Sequence, residues 1–131
     1  MGAAENKEIV KQVFSELAKG NAQLFVERMA EDFRWTVTGT TKWSKTYQGK
    51  QAVIAELLGV LQTRLAPPII IVGERFLADE DYVVVEARGK NTTRDGMPYN
   101  NAYCFVFRLA HGKLQHLTEY MDTQLVTAVF G

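Results

Sequence analysis

The chain has 131 residues, the usual size of one domain, so we expect a single domain over residues 1–131. Its 15 Lys and Arg balance 15 Asp and Glu, which argues against a nucleic-acid-binding protein, because such proteins gain affinity by neutralising phosphates. The single cysteine, Cys104, excludes an internal disulfide and an all-cysteine zinc site. The charged N-terminus is unlike a signal peptide, and no apolar run could span a bilayer. We therefore expect a cytoplasmic protein without a nucleic-acid or membrane partner.

Helical spacing of apolar residues dominates the first half of the chain. A short stretch around Trp35 alternates between apolar and polar residues instead, as a half-buried strand does. In chain order the pattern predicts a helix over Glu5–Lys19, a short helix capped by Asn21, a strand over Phe33–Val37, a loop over Gly39–Gly49 and a helix over Lys50–Leu65.

Alternation dominates the second half, where short turns separate four apolar segments. Short joints between consecutive strands are typical of antiparallel hairpins. The predicted strands are Ile69–Ala78, Tyr82–Thr92, Tyr99–Ala110 and Leu114–Thr123. Helices followed by such a meander indicate an α+β fold, in which the helices cover one face of the sheet.

Each predicted strand carries a mostly apolar row that contains one or two polar groups, a mixture typical of a sheet face that lines a ligand pocket. We therefore predict that the ionisable members of these rows share one cavity with aromatic side chains. The candidate ligand-binding residues are Trp35, Asn101, Tyr103, Phe105 and Met121, together with the loop aromatics Trp43 and Tyr47.

Glu119 is the main candidate for a catalytic group, with Arg88 and Glu86 as assisting residues in the same cavity. Glu119 shares a strand face with Leu117 and Met121, and burial raises the pKa of a carboxyl group toward the range that suits proton transfer at neutral pH. The structural alternative is an ion pair, either between Glu86 and Arg88 or between Glu119 and Arg88.

No metal site or cofactor is expected from the sequence. The two histidines and the cysteine lack the spacing of metal ligands, and Gly39 and Gly49 do not form a phosphate-binding loop. Cys104 lies among aromatic residues in a strand, which is typical of an inert core thiol.

Four motifs, taken together in this order, point to a known family. They are Val13-Phe14-x-x-Leu17 with Gly20-Asn21, then Tyr47-x-Gly49-Lys50, then Tyr99-Asn100-Asn101-x-Tyr103-x-Phe105-x-Phe107, and finally Gly112-Lys113-Leu114-x-x-Leu117-x-Glu119-Tyr120-x-Asp122. Their order and spacing resemble the nuclear transport factor 2-like (NTF2-like) fold and, within it, the SnoaL-like and ketosteroid-isomerase-related proteins. The resemblance implies a cystatin-like cone: N-terminal helices packed on a curved antiparallel sheet, with a small-molecule pocket between them.

The resemblance also implies a homodimer formed through the other face of the sheet. The residues agree with this, because a second apolar row would be exposed to water in a monomer. That row is predicted to contain Val83, Val85, Ala87, Ala102, Cys104 and Val106.

The catalytic pattern of ketosteroid isomerases is absent from this sequence. The first helix has Val13-Phe14 where those enzymes have a tyrosine, and the Phe33–Gly39 segment holds no carboxylate. Glu119 instead lies at a position resembling the acid of family members related to phenazine biosynthesis. Three functions stay open: an isomerase, cyclase, dehydratase or hydrolase that uses Glu119, a non-catalytic ligand-binding protein, and a dimeric protein-interaction module.

Overall fold

A computed structural model describes residues 2–131 of the chain. Its helices are α1 (Ala3–Leu17), α2 (Gln23–Arg28), α3 (Lys50–Val53), a π-helical turn (Ile54–Leu58), α4 (Gly59–Arg64) and α5 (Thr123–Phe130). Its strands are β1 (Met29–Val37), β2 (Thr46–Gln48), β3 (Ile71–Asp79), β4 (Tyr82–Gly89), β5 (Asn91–Thr92), β6 (Pro98–Tyr99), β7 (Ala102–Ala110) and β8 (Lys113–Met121). The predicted α+β class, with N-terminal helices on a curved sheet, is confirmed.

Six strands form the main sheet in the order β2-β1-β8-β7-β4-β3, and β5 and β6 form a separate pair. β1 runs parallel to β8, and the other neighbours are antiparallel. The β7–β8 hairpin closes at His111-Gly112, where both residues have positive φ, as a tight two-residue hairpin turn requires.

The helices cover one face of this sheet. The apolar positions of α1 from Ile9 to Leu17 are buried, and α1 packs against β3 and β4. The predicted third helix forms, but a π-helical turn interrupts it, in which the backbone N–H of Gly59 bonds to the carbonyl oxygen of Ile54. This turn matters for the site because Leu57 and Leu58 within it face two different cavities.

Three predicted boundaries differ from the structure. The expected loop before α3 contains β2, which pairs with β1 through Trp35 and Tyr47. The second and third predicted strands of the meander are each broken, at Lys90 and at Asn100-Asn101, so that β5 and β6 form their own ladder. The last strand ends at Met121, and the chain then forms α5, which the sequence analysis did not predict.

The prediction of which face of β4 points toward the helices is wrong. Val83, Val85 and Ala87 pair with Phe107, Phe105 and Tyr103, so the fully apolar row of β4 lies on the helix-covered face of the sheet. Burying this row leaves the row with Glu86 and Arg88 in water, whereas the opposite arrangement would bury two ions at a large desolvation cost.

Buried apolar side chains form two clusters. The main one lies between the sheet and the N-terminal helices, and a smaller one joins Leu65 and Tyr99 to Val126 and Phe130 of α5. None of the helices within residues 2–131 combines the length and apolar character that crossing a bilayer would need.

Candidate functional site

Glu119 lies in the middle of the helix-covered face of the sheet. Its strand, β8, is flanked by β1 and β7, and its nearest cross-strand partners are Val37 and Phe105. Trp35 of β1 points to the same face, and its indole Nε1–H donates a hydrogen bond of 2.9 Å to Oε1 of Glu119. The sheet register therefore fixes both partners of this bond.

The Glu119 carboxyl group faces a small cavity of about 100 Å³, which we call the Glu119 chamber. Sheet residues form its floor, Leu57 and Leu61 form one wall, and Val126 and Phe130 of α5 form another. The chamber therefore lies between the two apolar clusters of the protein.

Burial in this apolar chamber raises the pKa of Glu119 from 4.5 to about 7, although the hydrogen bond from Trp35 opposes the rise. Among the described residues that line the chamber there is no Lys, Arg or His. The carboxyl group therefore lies without a countercharge in the chamber, and both of its protonation states are well populated near neutral pH.

Two tyrosine hydroxyls accompany Glu119 in the chamber. Burial raises the pKa of Tyr103 well above its ordinary value, and electrostatic repulsion from the neighbouring Tyr99 and Glu119 raises it further. Burial also raises the pKa of Tyr99, whose hydroxyl oxygen accepts a 3.2 Å hydrogen bond from Nδ2 of Asn101. Both tyrosines therefore stay protonated, and a hydrogen bond between their hydroxyl groups also acts on both pKa values.

The loop before β2 and helix α5 meet beside the chamber. Nε1 of Trp43 donates a 3.2 Å hydrogen bond to the carbonyl oxygen of Gly131, and the Trp43 and Phe130 rings contact edge to face. Phe130 also packs edge to face on Tyr99, with 4.8 Å between the ring centroids. Trp43 thus helps to hold α5 over the site.

A second cavity of about 590 Å³ adjoins the Glu119 chamber. Trp35, Leu61, Ile71 and Phe105 line both cavities and so form the boundary between them. The lining of this larger cavity is otherwise almost entirely apolar, and its polar residues, Gln23, Glu27 and Gln62, are all exposed.

Most of the predicted site residues come together in the chamber. They are Glu119, Trp35, Trp43, Tyr103, Phe105 and Met121. Tyr47 and Asn101 do not line the chamber but form hydrogen bonds to residues that do. The Tyr47 hydroxyl donates a 2.8 Å hydrogen bond to the carbonyl oxygen of Trp43. Asn101 is fully buried and bonds to Tyr99 and to the backbone of Asp122.

Glu86 and Arg88 do not reach the chamber, so their predicted placement is wrong. They lie on the outer face of the sheet, where Arg75 Nε is 3.0 Å from Oε1 of Glu86 and Arg88 Nε is 3.4 Å from Oε1 of Glu74. These exposed ion pairs also exclude the alternative in which Glu119 neutralises Arg88.

The two polar groups near Glu119 in sequence have structural roles. His116 lies on the outer face, where its Nε2 is 2.9 Å from the Thr36 hydroxyl, and its pKa is lowered by partial burial and by Arg34 and Arg108. Asp122 caps α5 by accepting a hydrogen bond of 3.2 Å from the backbone N–H of Leu125.

The sequence analysis missed the helical half of the chamber. Leu57 and Leu61 lie four residues apart on one helix face, within the predicted helix Lys50–Leu65, but they were not predicted to line a pocket. Val126 and Phe130 have the same spacing after Asp122, a good capping residue, and this combination was the overlooked signal for α5. Residues 2–131 contain no group of three or more His, Cys, Asp or Glu that could hold a metal ion.

Comparison with known proteins gives a family match. A family model described as a SnoaL-like domain matches residues 10–117. No curated protein matches the chain.

Solved structures share the fold. An NTF2-like protein of Burkholderia thailandensis E264 is 18% identical with a TM-score of 0.82, covering 100% of this chain and 99% of that one. A candidate SnoaL-like polyketide cyclase of Jannaschia sp. CCS1 is 20% identical with a TM-score of 0.78, and the match covers 97% and 92%. TerC, co-crystallised with polyporic acid, is 19% identical with a TM-score of 0.79, and the match covers 95% and 97%.

Proposed function

The chain belongs to the SnoaL-like domain family, and we propose that it is a small-molecule enzyme in which Glu119 is the general acid and base. The observation that carries the proposal is an unpaired carboxyl group in an apolar chamber, with a pKa raised to about 7. A group with this pKa can both accept and return a proton near neutral pH, which is the requirement for isomerisation, cyclisation or elimination.

The surroundings of Glu119 suit this chemistry better than a purely structural role. Trp35 donates one hydrogen bond to the carboxylate, which fixes its orientation and leaves Oε2 available for a ligand. Tyr99 and Tyr103 line the same chamber, and a substrate oxygen atom that replaces their mutual hydrogen bond can accept from a tyrosine hydroxyl.

The substrate class follows from the lining. Aromatic and aliphatic side chains make up most of the chamber, so the substrate is a small, partly apolar compound. The similarity to a candidate polyketide cyclase and to TerC crystallised with polyporic acid supports a small organic ligand.

The proposal is tested with 5-nitrobenzisoxazole, an activated compound that reports a general base. The base removes the proton from C3, the C–H electrons form the nitrile, and the N–O bond breaks to give a coloured phenolate. The catalysed rate should rise with pH around a midpoint of about 7. Glu119→Gln should lower this rate by about 10²–10⁴-fold, the usual contribution of general acid–base catalysis.

Glu86→Gln is the matched control, because it removes a glutamate from the outer face and leaves the chamber intact. Its rate should equal that of the unmodified protein. Equal rates for Glu119→Gln and the unmodified protein would reject Glu119 as the base. Binding of the compound without acceleration would favour the non-catalytic ligand-binding alternative.

We also infer that the protein is a homodimer, paired through the outer sheet face. With Val83, Val85 and Ala87 in the core, the apolar residues left on this face are Val84, Ala102, Cys104 and Val106. The side chains of Leu77, Tyr82 and Tyr120 extend the same face and are each about half exposed. A two-fold contact is the commonest way to cover such a surface.

A further inference from the structure

We propose that the ligand is an elongated molecule whose polar end lies beside Glu119 and whose uncharged hydrocarbon body lies in the larger cavity. This inference rests on the proposed function for the position of the polar end. The assignment of the hydrocarbon body to the larger cavity is a separate claim, because nothing in the acid–base proposal requires it.

The two cavities differ in size. The Glu119 chamber has a volume of about 100 Å³, which is below the roughly 300–1,000 Å³ of pockets that enclose small-molecule ligands. The larger cavity, at about 590 Å³, lies within that range. A substrate that reacts at Glu119 must therefore extend out of the chamber, and the adjoining cavity has room for the remainder.

The two sides of the chamber differ in chemistry. One side is bounded by Glu56, whose Oε1 lies 3.5 Å from Nζ of Lys45, so a ligand that leaves here meets an exposed ion pair and water. The other side is the apolar boundary that includes Trp35 and Phe105. A hydrocarbon group is favoured on the apolar side, because burial there removes its surface from water.

Charge also favours a neutral ligand body. Among residues 2–131, the only charged residue that lines the larger cavity is Glu27, which is exposed and accepts a 3.0 Å hydrogen bond from Nε2 of Gln23. Deeper in the cavity the lining is formed by apolar side chains such as Phe14, Leu17 and Leu58. A charged group would lose its hydration there without gaining a partner, so the body of the ligand is neutral.

The π-helical turn provides a matched pair of variants. Leu57 and Leu58 are adjacent and similarly half-buried, but Leu57 lines the Glu119 chamber and Leu58 lines the larger cavity. Leu57→Trp should therefore place an indole ring in the chamber, and Leu58→Trp should place one in the larger cavity and obstruct part of it.

The first measurement is binding of N-phenyl-1-naphthylamine, a neutral apolar dye that becomes fluorescent when buried. Leu58→Trp should weaken dye binding at least about tenfold, the loss expected when a few buried hydrocarbon groups are excluded. Leu57→Trp and Glu119→Gln should change it less than about twofold. Dye binding that resists Leu58→Trp, or that is absent from the unmodified protein, would overturn the assignment of the larger cavity.

The second measurement is displacement of the dye by 2-nonanone, which has a carbonyl group near one end of a hydrocarbon chain. Leu57→Trp should weaken this competitor at least about fivefold while leaving the dye unaffected, because the ketone end is expelled from the chamber. Equal competition in Leu57→Trp and in the unmodified protein would overturn the spanning mode. If 5-nitrobenzisoxazole shows no reaction that depends on Glu119, the dye-binding and competition results should stay the same. The acid–base proposal and the ligand proposal can therefore fail separately.

A third measurement does not depend on the variants folding. In the unmodified protein, nuclear Overhauser effects should connect the dye ring to methyl groups of Leu17 and Leu58 in the larger cavity. Contacts only to Val84 and Val106 would place the dye on the outer sheet face and reject the proposal.

Discussion

The indole N–H of Trp35 on β1 reaches the Glu119 carboxylate on β8 across a parallel pair of strands, at 2.9 Å. It is the only hydrogen bond that the structure gives the Glu119 carboxyl group from residues 2–131. Burial disfavours the charged carboxylate and the indole favours it, and burial is the larger effect. The protonation state of Glu119 is therefore the property on which the proposed chemistry depends.

Ionisation of Glu119 should make the protein less stable as the pH rises. Between pH 4.5 and about 7 the unfolded chain has released this proton while the folded protein still holds it. The free energy of unfolding should therefore fall by about 3 kcal/mol across this range and level off above it. Urea denaturation at several pH values should show this fall in the unmodified protein and its disappearance in Glu119→Gln. An identical pH dependence in both would contradict the raised pKa.

Removing the indole donor should raise the pKa of Glu119 above 7, because the bond from Trp35 favours the carboxylate. Trp35→Phe tests this while retaining an aromatic ring against Phe25 and Phe33. A double-mutant cycle with Glu119→Leu, whose side chain accepts no hydrogen bond, separates the bond from lost packing, and its coupling energy at pH 8 should be about 1.5–3 kcal/mol. Carbon-13 NMR titration of the carboxyl group gives the pKa directly. A pKa that falls in Trp35→Phe would show that the bond does not stabilise the carboxylate.

The sequence predicted the residues of each sheet row correctly but not which rows share a face. Alternation assigns Glu86 and Arg88 to one side of β4 and Val83 and Val85 to the other. Alternation alone does not show which of these two sides shares a sheet face with the aromatic row of β7, because that depends on how the two strands pair. The apolar row of β4 was the better candidate for the core, since burying it leaves no ion without water.

The part of the chamber that lies in single strands was predicted, and the part where several elements meet was missed. Glu119 and Tyr103 were found from alternation alone, because each lies in a regular strand. The contribution of Val126 depends on a helix that follows the last strand without a glycine or proline to mark the change. The division of Leu57 and Leu58 between the two cavities occurs in a π-helical turn, for which the sequence contains no simple signal.

The two faces of β4 determine which valine tests dimer formation. Val84 and Val85 are adjacent, but Val84 lies on the outer face and Val85 is fully buried in the core. Val84→Glu should give a folded monomer in analytical ultracentrifugation, because a charge in the interface would be desolvated without a partner. Val85→Glu should instead lower the free energy of unfolding by about 3–5 kcal/mol. A dimer that persists in Val84→Glu would show that this face is not the interface.

Asn101 should control the Glu119 chamber without lining it. Its amide donates to the Tyr99 hydroxyl and to the carbonyl oxygen of Asp122, each at 3.2 Å, and accepts from the N–H of Asp122 at 3.0 Å. Asn101→Ala removes all three bonds where the chain turns from β8 into α5, and should lower the free energy of unfolding by about 1–3 kcal/mol. Looser packing of α5 admits water to the chamber, so the pKa of Glu119 should also fall toward 4.5.

Asn100→Ala is the neighbouring control for that experiment. Asn100 is exposed, and its side chain accepts one hydrogen bond of 3.0 Å, from the backbone N–H of Asn91. This variant loses the contact to Asn91 and no contact to Asp122, so its Glu119 carboxyl group should titrate as in the unmodified protein. The comparison of the two carbon-13 titrations separates a general loss of stability from a specific loss of the α5 anchor. A Glu119 pKa that stays near 7 in Asn101→Ala would show that α5 keeps water out of the chamber without this anchor.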